Sequence, residues 1–178
     1  MTPQSGYGTA AKLFHWSTVM LLVVQYLIGW LMPDIHRGMA PGTIMNVHIS
    51  FGICILTLIV IRYAWRLGNP VAAPLGLPAW QAASSEAVHL LLYALVLVTT
   101  VTGWIFASMR GWTITVFGIV PLPGLVAENS EMGRAIGRLH GAITWVLLAV
   151  IAAHVLAALM HRFVYRDTIM QRMLPGGR

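Results

Sequence analysis

Four uninterrupted apolar runs, each about as long as a bilayer is thick, constrain this chain more than any other feature. They cover residues 13–32, 44–63, 87–107 and 139–160. At a helical rise of about 1.5 Å per residue, each reaches across a hydrocarbon core of about 30 Å. The joins carry the chain breakers: Pro33-Asp34 through Pro41-Gly42, Gly68-Asn69-Pro70 through Ser84-Ser85, and Arg110-Gly111 through Arg138. Lipid offers no partner to a backbone N–H or C=O, so runs of this length without strand alternation must be helices. The expectation is an all-α integral membrane four-helix bundle, up-down-up-down, with residues 1–178 forming a single membrane domain and the uncharged 68–85 connection an irregular surface loop.

Composition narrows the class further. Hydrophobic residues make up 58% of the chain and charged ones 9%, against about a quarter charged in soluble proteins, so lipid must cover most of the surface. The formal charge of +6 does not indicate nucleic acid, because the arginines stand singly at the ends of apolar runs and form no phosphate-tracking stripe. Cys54 is the single cysteine, which excludes a disulfide framework, a thiolate metal cluster and a CxxCH attachment site. The first apolar run has the length of a span and no small-residue cleavage site after a short core, so the N-terminus is expected to be retained.

With four spans, both termini and the second connection share one side. That side collects Lys12, Arg62, Arg66, Arg162, Arg166, Arg172 and Arg178, and the other keeps Arg37, Arg110, Arg134 and Arg138. The imbalance predicts cytoplasmic termini. Trp16, Trp30, Trp65, Trp104 and Trp112 fall near span ends, where an indole anchors at the headgroups.

Histidine is the chemistry-bearing residue within these spans. His15 opens the first span and His154 nears the end of the fourth, which runs the opposite way, so the two share a level on the terminal side. His48 and His140, at the starts of spans two and four, share the opposite level. On span four the two histidines are 14 residues apart, close to four turns or ~21 Å, so both project from nearly one side. Imidazoles on facing helices, above and below a flat macrocycle, are how a bundle holds a low-spin haem without a covalent link. Two such levels predict two non-covalent b haems stacked along the membrane normal. Zinc is the rival use, but two histidines per level without a nearby Cys, Asp or Glu leave a tetrahedral site half built.

Three histidines remain. His89 opens span three at the terminal level and competes with His15 for the place opposite His154. His36 lies in the first connection beside Asp34 and Arg37. His161 follows His154 by two turns on nearly the same face and points to the terminal surface, where an imidazole titrating near neutrality can serve a quinone. Gly52, one turn after His48, and Gly141, next to His140, are candidate points of close cofactor approach.

These residues resemble the bacterial cytochrome b561 family, four-span dihaem proteins of the inner membrane. The likeness runs nearly end to end: Leu13-Phe14-His15-Trp16, Asn46-Val47-His48-Ile49-Ser50-Phe51-Gly52, Arg62 to Arg66, Val88-His89-Leu90-Leu91-Leu92-Tyr93, Leu139-His140-Gly141, Ala152-Ala153-His154, Leu159-Met160-His161, and Asp167 to Pro175. The resemblance implies haem iron ligands at His15, His48, His140 and His154. It also implies superoxide oxidation on the periplasmic side with electrons passed to ubiquinone. On that reading Arg37, Arg110, Arg134 and Arg138 steer a small anion to the outer haem. One departure stands out: residues 68–85 contain no Lys or Arg, so a quinone site must draw on His161, His89, Arg62 and Arg66. Two other expectations compete. One is a quinol-oxidising subunit that passes electrons to a periplasmic or membrane partner docked on the third connection; the other is a haem-free scaffold or transporter component.

Overall fold

The computed structural model describes residues 7–36, 38–70, 78–128, 132–174 and 176. Four long helices dominate: α1 Thr9–Trp30, α2 Thr43–Gly68, α3 Ala79–Met109 and α4 Met132–Met160. All four are long and apolar enough to cross a membrane. Their neighbours are sequential, α1 against α2, α2 against α3 and α3 against α4, as short connections between antiparallel helices require. α1 is tied to α4 by the Tyr26 hydroxyl, which donates to the Thr144 carbonyl at 2.7 Å.

The dry interior is small. Ile55 and Ile59 of α2, Val96 of α3 and Leu147 of α4 form its middle. Large apolar side chains such as Met20, Val60, Leu90, Trp145 and Leu156 stay exposed on the outer surface. In water that pattern would drive aggregation; in lipid the exposed aliphatic faces are the solvated ones.

The helices outrun the apolar runs that predicted them. α3 starts at Ala79, not 87, so residues 79–86 belong to a helix and not to an irregular loop; residues 71–77 lie outside the described part of the chain. Pro78 stands at the N-cap position, where its missing N–H costs nothing. Ser84 returns its hydroxyl to the Trp80 carbonyl at 2.7 Å, so a nominal loop former is satisfied inside the helix. α4 likewise begins seven residues before the expected 139. Apolarity marks the bilayer core, whereas a helix continues through the headgroup layer on propensity alone.

The third connection departs more sharply from an all-helical expectation. Ile114–Val116 (β1) and Val120–Leu122 (β2) pair antiparallel. Phe117 and Gly118 turn between them with φ of 50° and 72°, the two positive values a tight primed turn needs. β-branched residues flanking a glycine were the available signal. The hairpin lies along α2: the Ser50 hydroxyl accepts from the Phe117 N–H at 2.8 Å and lies 3.2 Å from the Thr115 carbonyl, and the Phe51 and Phe117 rings meet edge to face at 5.5 Å. Met45, Ala107, Trp112 and Ile114 bury one another beneath it, so the connection is a lid over one end of the bundle.

Tryptophan positions follow from this. Trp104 and Trp112 give their indole N–H groups to the carbonyls of Pro123 and Met39, and Trp16 gives its own to Met173. Trp16 and Trp104 therefore fasten connecting or terminal segments to helices, while Trp112, buried in the lid core, ties the third connection to the first.

At the opposite end α4 widens into a π-helical turn, His161–Tyr165, and stops at Arg166 in the left-handed region. The chain then folds back under α1, where the Tyr7 N–H donates to the Arg172 carbonyl. A short 3-10 turn, Gln171–Met173, ends the described elements.

Candidate functional site

At the hairpin end, all four helices converge on His48 and His140. Their ring centres are 6.4 Å apart and nearly perpendicular, with an interplanar angle of 86°. α3 orients His140: the Thr99 carbonyl lies 2.9 Å from its Nδ1, with the Thr102 hydroxyl at 3.4 Å. A carbonyl can only accept, so Nδ1 carries the proton and Nε2 keeps its lone pair free. Gly103 makes this possible, because a Cβ there would sit 2.9 Å from Cε1 of His140. One turn along, Gly137 of α4 leaves room for the Phe106 ring, which a Cβ would meet at 2.5 Å. The α3–α4 seam is thus built from complementary glycines and rings.

α1 holds the other ring. The Gln25 amide nitrogen donates to the His48 carbonyl at 3.0 Å and lies 3.2 Å from His48 Nε2, while Gly29 leaves space beside Cε1. Gln25 escaped the sequence reading, although a lone amide inside an apolar span was a usable signal. Of the two glycines singled out beforehand, Gly52 faces the Gln25 amide at 3.5 Å and Gly141 faces open space.

The terminal end is built differently. Here the His89 and His154 rings are in contact, centres 5.3 Å apart, and His15 is near enough to interact electrostatically with both. The sequence pairing put His15 opposite His154, with His89 at the very start of span three. The competition expected from His89 is what the structure shows: it shares the level of His154 and lies against its ring, nearly three turns inside α3. Arg62 of α2 joins the group: its guanidinium is 3.4 Å from His15 Nδ1 and donates to the Thr18 hydroxyl at 3.2 Å. Arg62 and Arg66 both lie over the Tyr93 ring, at 5.4 and 5.7 Å. A cavity of about 120 Å³ opens beside them, lined among others by Arg62, Arg66, Asn69, His89, Tyr93 and Met173.

Of the residues expected to serve a quinone, this cavity unites His89, Arg62 and Arg66 but not His161. α4 gives way to the π-turn at His161, and the chain that returns after it brings a carboxylate to this ring. Its Nδ1 is instead 2.5 Å from an Asp167 carboxylate oxygen, and the other oxygen of Asp167 accepts from the Ile169 N–H at 3.0 Å.

The expected anion-steering arginines scatter. Arg110 is folded onto the lid, donating to the His36 carbonyl and lying over Trp112 at 5.0 Å, because a guanidinium at a helix end finds both carbonyl and ring within reach. Arg138 is exposed. Arg37 and the Arg134 side chain lie outside the described residues.

Two observations test whether haem fits the hairpin-end pair. Metal–imidazole bonds of about 2 Å on opposite sides of one metal put ring centres on the order of 6 Å apart, and the His48–His140 separation of 6.4 Å matches. Moreover, buried polar atoms without partners gather here: Gln25 Oε1, His48 Nδ1 and Thr99 Oγ1. Each such atom costs about 1–3 kcal/mol in a finished core. The residues fit an axial pair, with Gln25 the neighbour that must yield Nε2 of His48. At the terminal end the His89–His154 contact of 5.3 Å is tighter than an axial pair allows. Among the described residues no group of three or more His, Cys, Asp or Glu is arranged for a metal ion of another kind.

Comparison with known proteins agrees in class. The family model for prokaryotic cytochrome b561 matches residues 6–176. Cytochrome b561 homolog 2 of Escherichia coli (strain K12) is 28% identical over 177 residues, covering 97% of this chain and 93% of the relative. Cytochrome b561 homolog 1 of the same organism is 29% identical over 174 residues, 90% of this chain and 92% of the relative. A probable superoxide oxidase CybB from Yersinia pestis is 29% identical over 169 residues, 92% of this chain and 93% of that protein.

Proposed function

This chain belongs to the prokaryotic cytochrome b561 family, membrane electron-transfer proteins that bind b-type haem, and from that premise we propose that it is a superoxide:ubiquinone oxidoreductase working through two haems in one membrane domain. His48 and His140 would hold one haem at the hairpin end, and His15 and His154 the other at the terminal end. The termini face the cytoplasm of a bacterial inner membrane, as the basic-residue imbalance favours, and the lid faces the periplasm.

When bound between two imidazoles, each haem would supply a one-electron carrier suited to electron transfer. The chain does the rest. Thr99 fixes the His140 tautomer through its carbonyl. Trp112, Ile114 and Met45 keep bulk water from the hairpin-end pair. Arg110, with Arg37, Arg134 and Arg138, gives that face the positive sign that favours a small anion. At the other end the cavity beside His89, Arg62 and Arg66 receives the quinone head, and His161, its Nδ1 held by Asp167, relays protons from the cytoplasmic surface. Two superoxide ions release two electrons and become two molecules of oxygen; one quinone takes up both electrons and two protons and becomes quinol.

The single observation that carries this reading is the pair of imidazoles at axial spacing on facing helices, in a chain similar to a probable superoxide oxidase at 29% identity. The test is stopped-flow mixing of the purified protein with superoxide, followed in the reduced haem bands. Reduction within milliseconds, discharged by a short-chain ubiquinone, is expected. Haem that quinol reduces and superoxide does not would assign the chain to quinol oxidation for a partner instead, and a spectrum without b bands would leave a scaffold.

A further inference from the structure

The hairpin of the third connection runs inward along the bundle and not away from it. Trp112 donates to the Met39 carbonyl, which precedes α2. Two residues on, Ile114 packs with Met45, the third residue of α2. At the tip the Phe117 N–H reaches the Ser50 hydroxyl, and the Phe117 ring meets Phe51. β1 therefore descends along α2. β2 then returns to Leu122, on the same cluster as Ile114, and to Pro123, whose carbonyl takes the Trp104 indole N–H. Ser50 stands seven residues after Thr43, where α2 starts, so the tip lies ~10 Å below the lid-side end of that helix.

The basic end of α2 fixes how deep this is. A hydrocarbon core of about 30 Å spans about 20 helical residues. Counted back from Arg62 it begins at the start of α2, and counted back from Arg66 it begins near Asn46. Ser50 and Phe51 fall inside it on either count, and the hairpin tip with them. That tip is apolar and bare. Residues 111–127 carry no charge, and Ile119 is 80% exposed with Phe117 and Val120 half exposed beside it. Single exposed apolar residues are ordinary, but three together on one turn call for a cover. The backbone suits a medium in which an unmet donor is costly. The Phe117 N–H has Ser50, the Ile119 N–H has the Val116 carbonyl at 3.0 Å, and Pro121 has no N–H to satisfy.

We propose that the hairpin tip is immersed in lipid, with Phe117, Ile119 and Val120 among the acyl chains of the lid-side leaflet. Acyl chains cover the outward faces of the spans at this depth, so the same solvent meets the tip. The placement follows from the four spans alone, whichever cofactors they hold. Trp112 and Ile114 close the bundle from one face of the hairpin while lipid holds the other, so the bilayer seats the lid together with Ser50.

Nitroxide labels measure this depth. Ile119→Cys and Thr113→Cys, each combined with Cys54→Ser because Cys54 is the chain's own thiol, are labelled in the haem-loaded protein and returned to vesicles of phosphatidylethanolamine and phosphatidylglycerol. Collisions with molecular oxygen, which concentrates among acyl chains, are compared with collisions with a water-soluble nickel chelate. Oxygen should dominate at Ile119 with loss of chelate access, whereas the chelate should reach Thr113, an exposed residue beside Trp112 at the top of the descent. Equal chelate access at both sites would put the tip in water. Low collision with both reagents at Ile119 would mean that protein covers it, a second copy or a partner. Either result overturns the immersion. If Ile119→Cys fails to assemble, Val120→Cys on the returning strand gives the same reading, with the same outcomes for and against.

Discussion

The two ends of this bundle solve one problem, holding a pair of imidazoles in lipid, with opposite materials. The lid end uses packing: glycines, hydroxyls, one amide and a hairpin, with neutral contacts around the rings. The terminal end uses charge, with two arginines sharing an aromatic ring, a third histidine and a cavity. Close packing of neutral groups around a ring excludes water, whereas a site that exchanges protons with a diffusing molecule needs an opening and charged or titratable groups. The difference teaches that the pseudo-symmetry of the histidines in sequence conceals a functional polarity along the membrane normal.

That contrast can be broken most severely at the glycine seam. Gly103→Val should collapse the lid-side pair, since even a Cβ would meet His140 at 2.9 Å. Difference spectra should show roughly half the b-haem absorbance lost, with the terminal component intact; full occupancy would mean that packing does not define this end. A smaller effect is expected from Asp167→Asn. Here quinone reduction should slow about 10-fold or more, within the usual range for acid–base groups, without change in haem content or in reduction by superoxide. Equal slowing of both half-reactions would remove the His161–Asp167 pair from the terminal chemistry. The mildest is Ser50→Ala, which removes the acceptor of the Phe117 N–H and should cost about 1 kcal/mol. It should appear as faster protease cleavage in the third connection with helix content unchanged, and an unaltered cleavage rate would show that β1 holds the lid without Ser50.

How much of this could be read beforehand follows physical lines. The four spans were legible because lipid imposes one rule on every residue of a run. The level of each histidine was legible too, since depth follows from counting along a rod. Azimuth was not. Whether His15 or His89 lies nearer His154 depends on which helices are neighbours, and α3 packs directly against α4. The hairpin went unread because its strands are three residues each, too short for alternation to register. The partner of His161 was not legible, because Asp167 comes within reach only through the π-turn and the bend at Arg166 that follow it. Gln25 and Arg62 were visible as polar intruders in apolar runs, but their partners lay on other helices, 23 and 47 residues away.

The segment after α4 folds beneath α1, with Trp16 bound to the Met173 carbonyl and Met173 lining the cavity. That segment is the last part of the chain to emerge from a ribosome, so the four rods can come together before the floor beneath α1 does. Until it folds, the terminal compartment lacks its Met173 wall and the Trp16 tie, and stays open on that side.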